Sequence, residues 1–181
     1  VVRGGRLAPD DDGVTIAGGD FETAGRPNMP AGWKWADEPG KITFLDRDVK
    51  FHGKASLRMQ DIDTYSPEHG HGRIMQTLNV TPFRYYHVSA AVKTQDFTAA
   101  GNVQIAVLAK SGSLNYLSLP IKPTQDWKRV DVCFNTLDNE EVNLSLGVWK
   151  GRGGKIWWDD VRIAPAGLVN IVRRDGTPVR L

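Results

Sequence analysis

The sequence has 181 residues and a formal net charge of +2, from 23 Lys and Arg against 21 Asp and Glu. Hydrophobic residues make up 40% and charged residues 24%, which excludes a disordered chain and is ordinary for one globular domain. No stretch approaches the roughly 20 apolar residues of a membrane span, and the basic residues are too scattered to follow a phosphate backbone. We therefore expect a monomeric domain with no membrane or nucleic-acid partner.

Short runs rich in Val, Ile, Leu and aromatic residues recur along the chain, separated by Gly, Pro, Asn and Asp. In chain order, the predicted strands are residues 56–60, 73–80, 85–94, 103–110, 116–121, 128–134, 142–150 and 155–164. No long segment repeats the three-to-four-residue apolar spacing of an amphipathic helix. Short strands with turn residues between them predict an all-β fold, a sandwich or a barrel.

Alternation assigns the two faces of these strands, because successive side chains of a strand point to opposite sides. In 142–149 the even positions are apolar and face the core, which leaves Asn143, Gly147 and Trp149 together on the other face. In 103–108 the same argument places Gln104 opposite the apolar set. In 86–92 the predicted inward residues are Tyr86, Val88, Ala90 and Val92.

The two ends differ from the middle. Residues 1–15 are expected to be an N-terminal strand or linker, and 167–181 an exit strand or linker to a following domain, with the sandwich at 16–166. The chain starts at Val1 without a signal peptide and stops abruptly at Leu181, so we expect a piece of a longer polypeptide. The acidic run at 10–13 is interpreted as a solvated turn, since it lacks the ligand spacing of a calcium loop.

Catalytic motifs are absent from the sequence: there is no Gly-x-Ser-x-Gly, no His-Glu-x-x-His and no phosphate-binding glycine loop. The single cysteine, Cys133, can form no internal disulfide, and we expect it to be a small buried hydrophobe. His69 and His71 could bind a transition metal, but Glu68 is the only third ligand near them in the sequence. A turn whose histidines hydrogen-bond to solvent or to a sugar is favoured. We therefore expect no enzyme.

Several short motifs follow one another in a set order. They are Gly-Gly-Asp-Phe-Glu at 18–22, Gly-Trp at 32–33, His-Gly-Lys-Ala-Ser-Leu at 52–57, Gln-Thr-Leu-Asn-Val at 76–80 and Trp-Trp-Asp-Asp-Val at 157–161. Across 16–164 the ordered set resembles the family 4, 9, 16 and 22 group of carbohydrate-binding modules. The resemblance implies a β-sandwich jelly roll of two antiparallel sheets that holds sugar on a concave sheet face.

The resemblance also implies a function. It predicts a non-catalytic module that binds a plant, algal or microbial polysaccharide and targets a covalently linked glycoside hydrolase or lyase. Such a module would be secreted, by a bacterium. The alternative is a structural accessory sandwich of a larger enzyme, with no sugar affinity. A third hypothesis, an enzyme on a jelly roll, predicts product release from a polymer by the isolated chain, and the fold alone does not choose among the three.

A structural calcium ion is a further implication of the resemblance. Its ligands would be the Asp20 carbonyl, the Glu22 carboxylate, a backbone carbonyl near Lys54, and Asp159 or Asp160. The chemistry agrees, because Ca²⁺ prefers six to eight oxygen ligands that mix carboxylates with carbonyls. The alternative is a hydrogen-bonded pair of acids that caps a turn.

Aromatic residues outside the predicted core are the candidates for stacking on a sugar. Trp149 lies on the polar face of its strand. Trp33 and Trp35 flank Lys34 and would project the same way on an extended segment, with Trp33 in the core and Trp35 on the ligand. Tyr65 and Tyr116 are further candidates, each equally compatible with ordinary packing.

Polar side chains near these rings could reach sugar hydroxyls. The candidates are His71, Arg73, Gln104 and Asn143. At Gly147 some members of the resembling family carry a larger polar group, so the sequence leaves the class of sugar open.

Overall fold

The computed structural model describes residues 12–98, 102–110 and 112–166. In chain order their elements are β1 (Ala24–Arg26), β2 (Met29–Pro30), β3 (Trp35–Ala36), β4 (Thr43–Asp46), β5 (Ser56–Gln60), α1 (Ile62–Tyr65), β6 (Gly72–Asn79), β7 (Tyr85–Gln95), β8 (Val103–Ala109), β9 (Gly112–Asn115), β10 (Gln125–Asn135), β11 (Glu141–Val148) and β12 (Lys155–Pro165). The all-β prediction is confirmed. The predicted linkers at 1–15 and 167–181 lie outside the described residues, apart from 12–15.

Two five-stranded sheets form the body of the fold. The first sheet has the strand order β10-β7-β12-β5-β4, and the second has the order β3-β6-β11-β8-β9. Neighbouring strands in both are antiparallel. Strands β1 and β2 form a separate two-stranded sheet. Among the described residues, no helix is long and apolar enough to cross a membrane.

The core lies between the two sheets, and alternation fills it from both sides. From the first sheet, β7 contributes four residues that are 0% exposed, as predicted: Tyr86, Val88, Ala90 and Val92. From the second sheet, β11 contributes four residues that are at most 1% exposed: Val142, Leu144, Leu146 and Val148. Both sets belong to one hydrophobic cluster, so the predicted β-sandwich is confirmed.

The strand predicted at 116–121 is wrong. On the side away from β11, β8 pairs with β9, which ends at Asn115, before the predicted strand begins. There the Asn115 side chain donates a buried hydrogen bond of 2.7 Å to the Ile105 carbonyl. Beyond Asn115 the described pairing with β8 is an isolated bridge between Gln104 and Ser118, with the Leu119 N–H donating to the Val103 carbonyl at 2.8 Å. Pro120 has no N–H with which to extend this bridge into a strand.

The expectation that Cys133 is buried is also wrong, since the thiol is exposed. Phe134 faces the core and Val132 is partly buried against it. The residue between them must then face outwards, where Cys133 lies opposite His87 of β7. The period of the strand, rather than the apolar character of the cysteine, decides its exposure.

Candidate functional site

The outward side of the second sheet carries most of the predicted sugar-binding residues. We call it the platform, and it is defined by Trp35, Arg73, Gln104, Tyr116, Asn143 and Trp149. Arg73 and Gln104 lie on either side of Gly147 in the strand register. Six of the eight predicted residues therefore share one surface, and they come from or directly follow each of the five strands.

Three aromatic rings and one guanidinium group form a continuous row across the platform. The Arg73 guanidinium lies 5.0 Å from the ring centre of Trp35 and 5.9 Å from that of Trp149. Trp149 meets Tyr116 edge to face, with ring centres 5.6 Å apart. Cation–π and edge-to-face contacts of this kind hold neighbouring rings in place. Because Trp35 is 40% and Tyr116 45% exposed, the row presents aromatic surface to solvent.

Arg73 occupies the centre of the row because its neighbours fix it there. Its Nε donates to the Asp37 carboxylate at 2.9 Å, and the Asp37 backbone N–H donates to the Arg73 carbonyl at 2.8 Å. On its other side, Gly147 has a φ of 148°, and a Cβ there would lie 2.7 Å from the Arg73 Cα. Only glycine fits beside Arg73, which explains why a larger polar residue is absent at this position.

Polar groups lie between the rings. The Thr77 hydroxyl donates to the Asn143 side-chain oxygen at 2.9 Å. Gln104 is only 7% exposed, and its Oε1 has no hydrogen-bond partner among the described residues. A buried acceptor without a partner costs about 1–3 kcal/mol. Gln104 is therefore a polar group of the platform whose bonding capacity the fold leaves unused.

The other two predicted residues lie at the margin. Tyr65 ends α1, is 48% exposed, and has the Lys41 ammonium 5.7 Å from its ring centre. His71 directly precedes β6 and stacks on His69, with ring centres 5.3 Å apart. Burial, followed by the charge of Arg73, lowers the pKa of His71. His71 is thus electrostatically coupled to the platform, whereas Tyr65 makes no described ring contact with the row.

Trp33 lies in the core as predicted and Trp35 is exposed, but the predicted common direction of the two side chains is wrong. Trp33 is 5% exposed, stacks on Phe21, and donates its indole N–H to the Gly18 carbonyl at 3.0 Å. Trp35 faces outwards instead of sharing that direction. Since β3 begins only at Trp35, the alternation rule does not extend back to Trp33.

The residues proposed for calcium flank one loop, 51–55. Both oxygens of Glu22 accept the Lys54 backbone N–H, at 2.7 and 3.0 Å, and Asp20 accepts the Glu22 N–H at 3.3 Å. At the other side of the loop, Asp159 accepts the N–H groups of Phe51 and His52 at 2.8 and 3.1 Å. These contacts are those of the alternative, in which the acids are hydrogen-bonded.

Asp160 fits a cation site poorly. It forms ion pairs with Arg129 and with Arg162, the latter at 2.7 Å. Burial opposes its ionisation, but hydrogen bonds and charge from these two arginines outweigh burial and lower the pKa of Asp160. Burial raises the pKa of Asp159, even though three backbone N–H groups favour its ionised form. Within the described part of the chain, no group of three or more His, Cys, Asp or Glu side chains is placed to hold a metal ion.

Three residues of this surface, Met75, Thr77 and Asp37, were missed by sequence reasoning. Met75 pairs with Trp35 across β3 and β6, and Thr77 binds Asn143. Both have the parity of Arg73 in β6, so alternation could have found them. Asp37 gave no such signal, because β3 is only two residues long and the loop after it has no period.

No family model and no curated protein matches this sequence. Solved structures match its fold. A cyclase from Fischerella sp. TAU superposes with a TM-score of 0.60 at 16% identity, covering 84% of this chain and 96% of the cyclase. The CBM22-1 xylan-binding domain of Paenibacillus barcinonensis Xyn10C gives 0.56 at 12% identity, covering 86% and 94%. TmCBM61, solved with β-1,4-galactotriose, gives 0.53 at 15% identity, covering 75% and 90%.

These similarities identify the fold as the jelly-roll β-sandwich of carbohydrate-binding modules, which confirms the fold that the sequence resemblance implied. The identities are low, and the same architecture is found in a cyclase. The function must therefore be argued from the surface residues of this chain.

Proposed function

We propose that the chain is a non-catalytic carbohydrate-binding module and that the platform is its sugar-binding surface. The observation that carries this proposal is the row of Trp35, Arg73, Trp149 and Tyr116 across the second sheet. Its rings are partly exposed, yet their contacts with one another fix them. A sugar that stacks on them would meet a surface that needs little ordering on binding.

The chemistry of the platform matches that of a pyranose ring. The C–H face of a sugar is apolar and packs on indole or phenol rings, while its hydroxyls need hydrogen-bonding partners. Asn143 and Gln104 lie beside the row, and a rotation that brings the unpartnered Oε1 of Gln104 to the surface would let it accept a hydrogen bond from a hydroxyl. A glycosidase needs two carboxyl groups across the sugar, and Asp37 beside the row is committed to Arg73.

We extend the proposal to the polysaccharide that the module would bind and to the enzyme that it would be linked to. The chain would bind a plant, algal or microbial polysaccharide and hold a covalently linked glycoside hydrolase or lyase near that polymer. Tethering of this kind raises the local concentration of an enzyme without any new contact in its active site. The chain would act as a monomer outside a bacterial cell.

One observation favours the alternative of a structural module. Arg73 fills the space between Trp35 and Trp149, so part of the aromatic surface is already covered by the protein itself. A sandwich with no sugar affinity would have the same stable surface.

Isothermal titration against soluble glucans, xylans, mannans and galactans tests the proposal. We expect at least one to bind, and Trp149→Ala to weaken that binding about 30-fold, as loss of a central aromatic anchor does. Tyr85→Ala is the matched control, because Tyr85 is 40% exposed on the first sheet. If none of these glycans binds, or if the Trp149 variant binds as tightly as the native chain, the platform is not a sugar-binding surface. Release of products from a polymer would instead support an enzyme.

Calcium is a separate proposal. A bound ion would link Glu22 and Asp159 through the loop at 51–55, provided that this loop presents carbonyl oxygens in place of N–H groups. Ligands that bind only the folded state raise the unfolding temperature. A higher midpoint in millimolar Ca²⁺ than in EDTA would support the ion, and equal midpoints would favour hydrogen-bonded acids.

A further inference from the structure

A depression of about 300 Å³ adjoins the platform at its β3 edge. Its lining includes Arg26, Pro27, Met29, Lys34, Trp35 and Pro39. We call it the basic depression. Trp35 belongs both to this lining and to the row of rings, where Arg73 lies over it. A sugar chain that stacks on the platform would therefore have a second place to contact beyond Trp35.

The floor of the basic depression is apolar. Met29 is 2% exposed and Ala36 is 8% exposed, and both also belong to the core cluster. Above them Trp35, which is 40% exposed, gives the depression a ring on which the C–H face of a pyranose can pack. The floor is rigid, since Met29 and Ala36 are fixed by the core below them.

Both walls of the basic depression are held by backbone hydrogen bonds. One wall is the β1–β2 hairpin, in which Arg26 pairs with Met29 around a turn containing Pro27. The other wall is the turn after β3, where the Ile42 N–H donates to the Glu38 carbonyl at 2.8 Å. Pro27 and Pro39 further restrict these turns, because each fixes its own φ angle. The depression is thus formed before any ligand arrives.

The two basic side chains of the lining have no acidic partner among the described residues. The acids nearest to them in sequence are engaged elsewhere: Asp37 pairs with Arg73 at 2.9 Å, Glu38 pairs with Lys41 at 3.1 Å, and Glu22 accepts the Lys54 N–H at 2.7 Å. Arg26 and Lys34 are both exposed at the rim. An apolar floor with two uncompensated cations at its rim is complementary to a group that is apolar on one face and anionic at its edge.

We propose that the basic depression binds an anionic pyranose, a sugar whose carboxylate or sulfate group contacts Arg26 and Lys34 while its C–H face packs on Trp35. This inference rests on the proposed sugar-binding function and deepens it by naming the class of sugar. Arg26 offers a planar fork that suits either anion, and Lys34 adds a mobile point charge. The ligand is then an acidic polysaccharide.

Matched pairs of probes test the inference and distinguish its two sources of charge. Polygalacturonate against its methyl-esterified form isolates the carboxylate, and dextran sulfate against dextran isolates the sulfate. We expect the charged member of one pair to bind about tenfold more tightly at low salt, from charge-assisted hydrogen bonds. That preference should shrink at about 0.15 M salt, because exposed charges are then screened.

The double substitution Arg26→Gln with Lys34→Gln should remove this preference and leave the binding of uncharged glycans unchanged. Lys122→Gln with Lys128→Gln is the matched control, since both lysines are exposed and neither lines the depression. Equal binding of charged and uncharged probes by the native chain, or an unchanged preference in the Arg26/Lys34 variant, would overturn the inference. In that case a neutral glycan that is lost on Trp149→Ala would leave the proposed function standing. Absence of binding to every probe and to the neutral panel would reject both.

Discussion

The outward faces of the two sheets are built differently, although both belong to one sandwich. On the first sheet, charged side chains neutralise one another: Arg58 with Asp46 at 2.8 Å, Arg162 with Asp160 at 2.7 Å, and Lys93 with Asp126 at 2.7 Å. On this face Trp157 is 3% exposed and donates its indole N–H to Asp46 at 2.9 Å. Most charged groups of this face are therefore paired with one another, although Tyr85 is 40% exposed and the Arg58 Nε has no partner among the described residues.

On the second sheet the partly exposed rings lie together in the row of the platform. The platform leaves Trp35 and Tyr116 partly exposed and leaves the Gln104 acceptor without a partner. A ligand gains free energy by covering apolar surface and by pairing buried polar atoms, and the platform offers both along one row of rings. The contrast between the two faces, more than the fold, distinguishes a binding surface from a structural one.

The largest effect should come from breaking the pairing on the first sheet. Asp46→Ala removes the partner of Arg58 and of the buried Trp157 indole N–H. Loss of one member of a buried ion pair costs about 3 kcal/mol or more, because the other member stays desolvated. Urea unfolding should show this loss, whereas the folded variant should bind glycan as the native chain does.

Asp126→Ala is the control for that change. Its partner is Lys93, and its side chain is exposed, so the unfolding midpoint should not move. Glycan binding that disappears in the folded Asp46 variant would contradict the independence of the two faces.

Lowering the pH should weaken the pairing around Asp46 on the first sheet. Burial opposes the ionisation of Asp46, but hydrogen bonds from Trp157 and from the N–H groups of Asp48 and Val49, with the charge of Arg58, lower its pKa below 3.8. The ionised carboxylate thus stabilises the fold above pH 3.8, and this contribution is lost as pH falls through the lower, folded-state value. Asp159 has the opposite sign, since burial raises its pKa and its contribution is lost as pH rises.

The difference in unfolding free energy between the native chain and Asp46→Asn should therefore grow from about pH 3 to pH 6. Chemical unfolding at a series of pH values measures it. A difference that is constant across this range would show that the Asp46 carboxylate is not selectively stabilised in the folded state.

The smallest effect should come from removing the unpaired acceptor of the platform on the second sheet. Gln104→Met removes the unpaired acceptor and keeps nearly the same volume, so the fold should gain about 1 kcal/mol. Glycan affinity should fall about fivefold, because a sugar hydroxyl loses its acceptor. Thermal unfolding and titration of the same sample measure the two changes. Higher stability with unaltered affinity would remove Gln104 from the site.

Sequence reasoning succeeded where one rule acts over a long strand. The period of two in β11 and β8 placed Trp149, Asn143 and Gln104 on one surface, because a strand of seven or more residues gives the pattern room to repeat. It failed where the element is short. β3 has two residues and begins after Trp33, so no alternating pattern was available to predict the direction of the Trp33 side chain.

Hydrogen bonds across the sequence could not be predicted in the same way. The acceptors around loop 51–55, Glu22 and Asp159, are 32 and 108 residues distant from the N–H groups they bind at Lys54 and Phe51. Which atoms of a loop face a carboxylate depends on backbone angles that composition does not encode. Calcium therefore stays a prediction, and the row centred on Arg73 emerged only from the folded chain.

The position of the sugar is tested most directly by the six tryptophan indole N–H signals in nitrogen-15 correlation spectra. During titration with a bound glycan, the signals of Trp35 and Trp149 should shift, while those of the buried Trp33, Trp157 and Trp158 stay in place. A shift of Trp127 on the first sheet, with Trp35 and Trp149 unmoved, would contradict the assignment of the platform.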